Sequence, residues 1–309
     1  MIAFLILHYK NEKETIECVE SIKKLDFPQR EIAIFIVDNG SKNESTKVLN
    51  SRYRLDQQVH LIYLAENLGF SAGNNAGYAA IHESLNLDNL DFLIVCNSDI
   101  VFTQEDFISK IIEIYNTEKF DILGPDIYKT KSNKRISTSP IYKRVAGYTE
   151  LADTEKVFQS RLNAIRTGEK SWTKIKTTAP SFLIAFRYGV FCIKKKVNET
   201  LSRYFPRRQN NVILQGACFI FSNKYMHSHD KLFYPETFLY YEEVILFVRA
   251  QSEKIRMIYD PKIKVWHKEG RSTDMDEKKI ERYERQMKNR LEALKICREY
   301  VERNRGDIK

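Results

Sequence analysis

Two polar clusters in the first third of the chain contain residue types that could bind a nucleotide or a cation. Asn97-Ser98-Asp99 follows an apolar run, and a carboxylate there could bind a hard cation through oxygen and thereby hold a diphosphate. Asp38 also follows an apolar run, where its carboxylate could accept a hydrogen bond from a base or a ribose. Both patterns are also ordinary turn or helix-cap chemistry, so neither assigns a function alone.

Two further candidates lie in the last third of the chain. Glu242 and Glu243 are adjacent and follow the aromatic-rich run 238–241, where partial burial would raise a carboxyl pKa toward values that suit a general base. His267 follows a short apolar run and is a candidate metal ligand. The alternatives are the acidic first turn of a helix for the carboxyl pair and a structural role for the histidine.

Glycines recur every four residues in the segment 67–77, at positions 69, 73 and 77. This is not the spacing of the dinucleotide-binding GxGxxG motif. Steps of four place Gly73 and Gly77 on one face of a helix, which predicts that this helix packs closely on a sheet. Small residues and backbone amides at the start of such a helix would also favour an anion.

The elements that must position these residues alternate between strand and helix. Strands are predicted where the chain is continuously apolar, at 2–7, 32–37, 59–64 and 92–96. Helices are predicted from helical apolar spacing at 14–25, 45–52, 73–84 and 105–115. The alternation predicts an α/β fold whose mostly parallel, Rossmann-like sheet is flanked by helices. Ligands of such sheets bind beyond the carboxyl ends of the strands, where the first two polar clusters fall.

The rest of the chain is expected to be less regular before it becomes ordered again. The segment 126–210 is basic, aromatic and irregular in pattern. After it we predict a strand at 212–222, a helix at 238–251, short strands at 255–259 and 263–266, and a helix at 274–303. An apolar stripe that repeats every seven residues on the last helix predicts packing on the domain or on a neighbouring subunit, which leaves a homodimer open.

Composition excludes several protein classes. Hydrophobic residues make up 43% of the 309 residues, which is too many for a disordered chain. The five cysteines are scattered and odd in number, which favours free thiols in a reducing compartment over a disulfide or zinc framework. The N-terminal apolar run reads as a strand rather than a signal peptide, and no run has the length of a transmembrane helix.

The net charge of +9 is unevenly distributed. Residues 127–149 carry six Lys or Arg and no acid, and residues 170–208 carry ten Lys or Arg and one acid. Aromatic residues interleave with the second stretch, which predicts contact with an anionic membrane surface, although a buried acceptor-binding region or a solvated basic surface is the alternative. Nucleic acid is not an expected partner, because no nucleic-acid-binding motif accompanies the charge.

The order of these segments resembles family-2 glycosyltransferases of the GT-A fold, particularly rhamnosyltransferase-like and galactofuranosyltransferase-like members. The resemblance covers roughly residues 1–125 and 212–290. Its matching segments are 7–11 with 15–21, 37–41, 67–75, Asn97-Ser-Asp99 in the place of the family's DxD-type motif, Gly216-Ala-Cys218, 238–243, and 265–267 with 270–272.

The resemblance implies roles for individual residues. Asp38 would contact the nucleotide base, Asn97 would lie near the ribose, and Asp99 would bind Mn²⁺ or Mg²⁺ on the diphosphate. His267 would be the second protein ligand of that metal. Glu243 would be the catalytic base, with Glu242 as its rival. The remaining donor-binding positions that it implies are Tyr9, Asn67, Gly69 and Asn75.

The activity implied is metal-dependent, inverting transfer of a sugar from a dTDP-rhamnose or UDP-sugar donor to a lipid-linked saccharide in bacterial surface polysaccharide synthesis. The enzyme would act in the cytoplasm, peripherally at the inner face of the cell membrane. Residues 1–125 would bind the nucleotide sugar, 126–273 would bind the acceptor and contain the base and the metal-binding histidine, and 274–309 would form a C-terminal helical segment. The alternatives are a nucleotide-sugar-binding protein and a basic membrane-binding protein, each without transferase activity.

Overall fold

The computed structural model describes residues 1–27, 29–131, 134–141, 145, 148–167, 206–268 and 279–306. The strands are β1 (Ile2–His8), β2 (Ile32–Asp38), β3 (Val59–Tyr63), β4 (Phe92–Asn97), β5 (Ile100–Val101), β6 (Ile122–Lys131), β7 (Lys134–Ser137), β8 (Gln209–Asn210), β9 (Cys218–Ser222) and β10 (Met257–His267). The helices are α1 (Glu12–Ile22), α2 (Glu44–Tyr53), α3 (Gly69–Ser84), α4 (Phe107–Glu118), α5 (Tyr148–Arg166), α6 (Asn223–Ser228), α7 (Glu242–Ser252) and α8 (Lys279–Arg303).

The strands form one mixed sheet in the order β3-β2-β1-β4-β9-β6-β10-β5, with β7 beside β6 and β8 beside β10. Strands β3, β2, β1 and β4 are parallel, β9 is antiparallel to both β4 and β6, and β6 and β10 are again parallel. Continuous apolar strands bury both faces of the sheet under helices, which gives two large core clusters. The predicted α/β fold with a mostly parallel sheet flanked by helices is therefore confirmed.

Helix α3 packs closely on the sheet, as the glycine spacing predicts. A Cβ at Gly77 would come within 2.5 Å of side chains of Leu5 and Val37, and one at Gly73 within 2.8 Å of Leu7. Only a residue without a side chain therefore lets the helix approach β1 and β2 this closely. The helix begins at Gly69 rather than at 73, so the prediction placed its start one turn too late.

Several predictions for the second half were wrong in detail. The segment 126–210 is not irregular throughout, because it contains the end of β6, β7 and the helix α5. The strand predicted at 212–222 begins only at Cys218. The two strands predicted at 255–259 and 263–266 are one strand, β10, with a register shift between Asp260 and Lys264.

The C-terminal helix α8 packs on its own chain. Its apolar stripe meets α7 through Leu294, Cys297 and Val301, and it meets α5 through Met287 and Leu291. The stripe was predicted to pack on the domain or on a neighbouring subunit, and the structure shows that it packs on the domain. The four described cysteines are free and buried, as expected for inert thiols, and Cys192 lies outside the described residues.

Some predictions fall outside the described part of the chain. They include nearly all of the basic, aromatic stretch 170–208 and the segment 270–272. The proposed boundary at 125 lies inside β6, and the boundary at 273 lies in an undescribed stretch. Among the helices that the structure does describe, none has the length and apolarity needed to cross a membrane.

Candidate functional site

The carboxyl ends of β1, β2 and β4 lie side by side, and we call this part of the sheet the polar edge. The parallel registers pair His8 with Asp38 and Leu7 with Asn97. Residues that follow three different apolar runs are thereby brought together, as parallel strands require. The sequence expectation that the first two polar clusters share one edge is met for Asp38 and Asn97.

Asp38 is a buried carboxylate with a partner on each oxygen. Its Oδ1 accepts a hydrogen bond from the backbone N–H of Ser41 at 3.0 Å, and its Oδ2 accepts one from the Thr46 hydroxyl. These two bonds fix the plane of the carboxylate. Each oxygen keeps a second lone pair with which it could accept a hydrogen bond from a base or a ribose.

His8 lies beside Asp38 and was not singled out from the sequence. Its Nδ1 is 2.7 Å from Thr15 Oγ1, and its Nε2 is 2.9 Å from Ser45 Oγ. Burial lowers the pKa of His8, although the charge of Asp38 acts in the opposite direction. The imidazole therefore ties α1 and α2 to the polar edge as a neutral group at neutral pH. The available sequence signal was its place as the first polar residue after an apolar run.

Asn67 and Gly69 belong to a turn that Asn39 closes. The Asn39 amide donates hydrogen bonds to Asn67 Oδ1 and to the Gly69 carbonyl, both at 3.0 Å, and accepts one from the backbone N–H of Leu68 at 2.9 Å. Gly69 has a φ of +79°, and a Cβ there would overlap the carbonyl oxygen of Phe238. This turn therefore connects the polar edge to the segment that leads into α7.

Asn75 and Tyr9 contact other parts of the protein. The Asn75 amide donates to the Phe233 carbonyl at 2.8 Å and to Glu236 at 3.0 Å, and it accepts from the Phe233 N–H at 3.1 Å. These bonds fasten α3 to the loop that precedes α7. Tyr9 follows β1, and the Lys10 ammonium lies 5.1 Å from its ring centroid. The donor-binding roles of Asn75 and Tyr9 stay predictions.

Asp99 and His267 are far apart in sequence and adjacent in space. Strand β10 runs antiparallel to β5, so that His267 pairs with Ile100, the residue after Asp99. The His267 Nε2 lies 3.1 Å from Asp99 Oδ2, and the backbone N–H of Lys268 donates to the Asp99 carbonyl at 3.1 Å. The two side chains that the resemblance assigns to one metal therefore face each other.

The chemistry of this pair fits a divalent cation that is also held by a ligand. Within the described residues, no group of three or more His, Cys, Asp or Glu could hold a metal ion, so the protein would supply two donor atoms, one oxygen and one nitrogen. Mg²⁺ and similar ions are commonly held by one or two protein side chains together with phosphate oxygens. His267 Nδ1 is buried, and none of the described residues forms a hydrogen bond with it. Glu14 lies near the pair, and burial, followed by the charge of Asp99, raises its pKa.

The acid pair begins α7, directly after two residues with left-handed backbones. Tyr240 has a φ of +78° and Tyr241 a φ of +65°, and we call residues 240–243 the acid turn. A left-handed conformation costs about 1–2 kcal/mol for a residue with a side chain, and such strain is concentrated at functional sites. Glu243 Oε1 accepts a hydrogen bond from the backbone N–H of Gly216 at 3.3 Å. Glu242 Oε2 is buried and has no hydrogen-bond partner among the residues that the structure describes.

The environment separates the two carboxyl groups. Burial raises the pKa of Glu242 well above its ordinary value, and the charge of Glu243 raises it further. Burial also raises the pKa of Glu243, but hydrogen bonds from its own backbone N–H and from that of Gly216 oppose the rise. Because the Gly216 N–H stabilises a negative charge on Glu243, we expect Glu243 to be the carboxyl of the pair that ionises first as pH increases.

Residues 216 and 217 connect the acid turn to the polar edge. The Asn97 backbone N–H donates to the Ala217 carbonyl at 3.0 Å, and the neighbouring Gly216 contacts Glu243. A Cβ on Gly216 would lie 2.8 Å from Glu243 Oε1, so only glycine leaves room for the carboxylate in this position. The end of β4 and the candidate base are thus linked through one short segment.

A family comparison matches most of the chain. The family whose model matches is described as Glycosyl transferase family 2, and it covers residues 4–199. The search of curated proteins finds no match.

Solved structures share the fold. S. aureus TarS 1–349 superposes with a TM-score of 0.51 over 86% of this chain and 60% of that chain, at 14% identity. A structure described as GalNAc-T7 with UDP, GalNAc and Mn²⁺ superposes with a TM-score of 0.55 over 86% of this chain and 43% of that chain, at 12% identity. The chain thus spans less than two thirds of the length of either solved chain, and similarity at these identities shows the fold alone.

Proposed function

This chain belongs to glycosyl transferase family 2, and from that premise we propose that it moves a sugar from a nucleotide-sugar donor to a saccharide acceptor by a single, inverting displacement. The observation that carries the proposal is the 3.1 Å contact between Asp99 and His267 at the polar edge. It unites two candidate ligands of a diphosphate-bound cation that are far apart in the sequence.

The donor would lie along the polar edge. Asp38 would accept a hydrogen bond from the base, Asn97 would lie near the ribose, and the Asn67–Gly69 turn would close over the nucleotide. A divalent cation, Mn²⁺ or Mg²⁺, held by Asp99 and His267 would supply positive charge beside the diphosphate oxygens. We propose a dTDP-sugar, with dTDP-rhamnose first, or a UDP-sugar as the donor; the GalNAc-T7 structure that shares this fold contains UDP and Mn²⁺.

Glu243 would act as the base. Its carboxylate would take the proton of an acceptor hydroxyl while that oxygen forms a bond to the anomeric carbon and the bond from that carbon to the diphosphate oxygen breaks. Attack from the face opposite the leaving group inverts the configuration. The Gly216 N–H would hold the carboxylate, and the protonated Glu242 beside it would add no second negative charge.

The properties of the acid pair argue against a simple acidic helix start. An acid that only stabilises the first turn of a helix is solvated, and the helix dipole lowers its pKa. Here burial raises the pKa of both carboxyl groups, and one buried Glu242 oxygen has no hydrogen-bond partner within the described part of the chain. Such groups destabilise a fold, and they are concentrated where carboxyl groups do chemistry.

The acceptor and the site of action follow from the charge distribution and the family resemblance. We propose a lipid-linked saccharide of a bacterial surface polysaccharide, reached by peripheral contact with the inner face of the cell membrane. The basic stretches 127–149 and 170–208 support this placement, because clustered Lys and Arg attract anionic headgroups.

The test is a screen of nucleotide sugars with Mn²⁺, scored by nucleoside diphosphate release. At least one dTDP- or UDP-sugar should be consumed, and Asp99→Asn should lower the rate by at least about tenfold. The matched control is Asp88→Asn, because Asp88 forms a similar but exposed contact with His227 at 3.0 Å. Saturable nucleotide binding without consumption of any donor would contradict transferase activity, and equal rates for both variants would contradict the cation site.

A further inference from the structure

The acid turn has a strained backbone at two consecutive tyrosines, and contacts with the rest of the protein must hold that backbone in place. Tyrosine has no intrinsic preference for the left-handed region, so the surrounding contacts must impose the φ values of +78° and +65° at Tyr240 and Tyr241. The direction in which Glu242 and Glu243 leave the turn depends on these two residues. A contact that fixes them therefore also fixes the acid pair.

Two backbone hydrogen bonds hold the turn, one from helix α3 and one within α7. Before the turn, the Phe238 carbonyl accepts a hydrogen bond from the Phe70 N–H at 2.6 Å. After it, the Tyr241 carbonyl accepts the first helical bond of α7, from the Ile245 N–H at 2.9 Å. Neither contact involves the side chain of Tyr240.

The third contact comes from the C-terminal helix. The guanidinium of Arg290 on α8 lies over the Tyr240 ring, 4.2 Å from its centroid. Among the described residues, the buried Arg290 Nε has no hydrogen-bond partner. A buried guanidinium nitrogen without a partner is unfavourable, and the aromatic face supplies a favourable interaction for the cation. The same helix packs against Tyr241 through Leu294 and Cys297.

We propose that Arg290 is a positioning residue that holds Tyr240 in its left-handed conformation and thereby aims the carboxylate of Glu243 at the reacting hydroxyl. The inference rests on the proposed function of Glu243 and extends it to a helix outside the polar edge. Without the cation over its ring, Tyr240 can return to the ordinary backbone regions. The start of α7 would then rotate, and the carboxylate would leave the Gly216 N–H.

The first test compares Arg290→Ala with Arg290→Lys on a donor that the wild-type protein consumes. Loss of one partly buried cation–π contact should lower kcat about 5- to 30-fold. The affinity for the nucleoside diphosphate should stay within about twofold of wild type, because the polar edge does not contact Arg290. Lysine keeps a cation over the ring and should restore most of kcat. Equal losses in kcat and nucleotide affinity, or wild-type turnover of Arg290→Ala, would overturn the proposal.

A second test separates backbone strain from other roles of Arg290. Glycine adopts a φ of +78° without strain. In a Tyr240→Gly background the ring is absent, so adding Arg290→Ala should change kcat by less than about twofold, whatever Tyr240→Gly itself does. The same 5- to 30-fold loss in both backgrounds would show that Arg290 acts elsewhere and would refute the proposal.

A third measurement does not need turnover. Hydrogen exchange of the amides at 243–246 should be faster in Arg290→Ala than in wild type. Arg298→Ala is the control, because Arg298 is on the same helix but pairs with Glu155 at 2.6 Å, away from the acid turn. If no donor is consumed by the wild-type protein, the proposed function fails and this exchange measurement alone decides the positioning role. Unchanged exchange in Arg290→Ala would count against it.

Discussion

At the carboxyl end of β2, both carboxylate oxygens of Asp38 have hydrogen-bond partners, and so do the oxygen and the nitrogen of the Asn39 side-chain amide. At the start of α7, by contrast, one buried oxygen of Glu242 has no partner among the described residues. The backbone differs as well. At the polar edge a positive φ falls on Gly40 and Gly69 and on two separate lysines, Lys10 and Lys42, whereas in the acid turn it falls on two consecutive tyrosines.

The difference indicates that the polar edge provides a surface of fixed shape, whereas the acid turn provides reactive groups. The hydrogen bonds of Asp38 and Asn39 and the turns at Gly40 and Gly69 let this end of β2 stabilise the fold while presenting a fixed surface to a ligand. Buried carboxyl groups and left-handed tyrosines destabilise the acid turn. Features of that kind persist where they serve a reaction. Changes in the acid turn should therefore affect turnover first, and changes at the polar edge should affect stability or nucleotide binding first.

The largest effect is expected from Glu243→Gln. The substitution keeps the size of the side chain and removes its ability to take a proton. General base catalysis contributes about 10²–10⁴-fold, so turnover with donor and acceptor should fall by that factor while nucleotide affinity stays close to wild type. The rate is measured by nucleoside diphosphate release, and the affinity by calorimetry.

Glu242→Gln is the comparison variant for this prediction. Since Glu242 is expected to keep its proton, an amide should replace it with a smaller loss of turnover. The assignment of the base would be reversed if Glu242→Gln showed the larger loss and Glu243→Gln turned over normally. That result would leave the donor site at the polar edge intact.

The next largest effect is expected from a substitution at the contact between the polar edge and the segment that leads into the acid turn. Gly69→Ala adds a Cβ at a φ of +79° that would overlap the Phe238 carbonyl, so it should destabilise the protein by roughly 2–4 kcal/mol. Gly306→Ala is the control, because a Cβ at that position meets no atom within 4 Å. Urea unfolding of both variants measures the difference. Equal unfolding midpoints for the two variants would mean that the Asn67–Gly69 turn can move away from Phe238 at little cost. The polar edge would then not support the acid turn.

The parts of the site that the sequence predicted are those with a local pattern. The continuous apolar runs end at Asp38 and Asn97, and the parallel pairing of the strands brings these two ends together. The local pattern was therefore enough to predict that they lie at one edge of the sheet. The meeting of Asp99 with His267 could be expected only from the resemblance, because β10 reaches β5 through a tertiary contact. Helix α5 was missed because its basic surroundings obscured an apolar stripe at Leu151, Leu162 and Ile165.

The acid turn could not be predicted in the same way. Glycine and asparagine signal a positive φ in a sequence, but tyrosine does not, so the conformation of Tyr240 and Tyr241 has no local signature. The partner of Tyr240 is Arg290, fifty positions later on a different helix. The unequal pKa values of Glu242 and Glu243 depend on burial and on the Gly216 N–H, which only the folded chain supplies.

The smallest effect is a pH dependence of stability that arises from Glu242. Its pKa is higher in the folded protein than its ordinary value of 4.5, mainly because burial disfavours the charged form. Below pH 4.5 both the folded and the unfolded chain hold the proton, and the contribution to stability is fully present. As pH rises toward the folded pKa, the unfolded chain releases the proton first, so the free energy of unfolding falls, by at most about 1.4 kcal/mol per pH unit.

Glu242→Gln removes this dependence, since glutamine does not titrate. The stability of the variant relative to wild type should therefore increase by about 1–2 kcal/mol between pH 5 and pH 7, as measured by urea unfolding at each pH. Glu292→Gln, on an exposed position of α8, controls for the loss of one negative charge. A constant difference between variant and wild type across this range would mean that Glu242 ionises as easily as a solvated carboxyl group. The acid turn would then disfavour a charged carboxylate no more than the polar edge does. The reason to expect Glu243 to ionise before Glu242 would be lost.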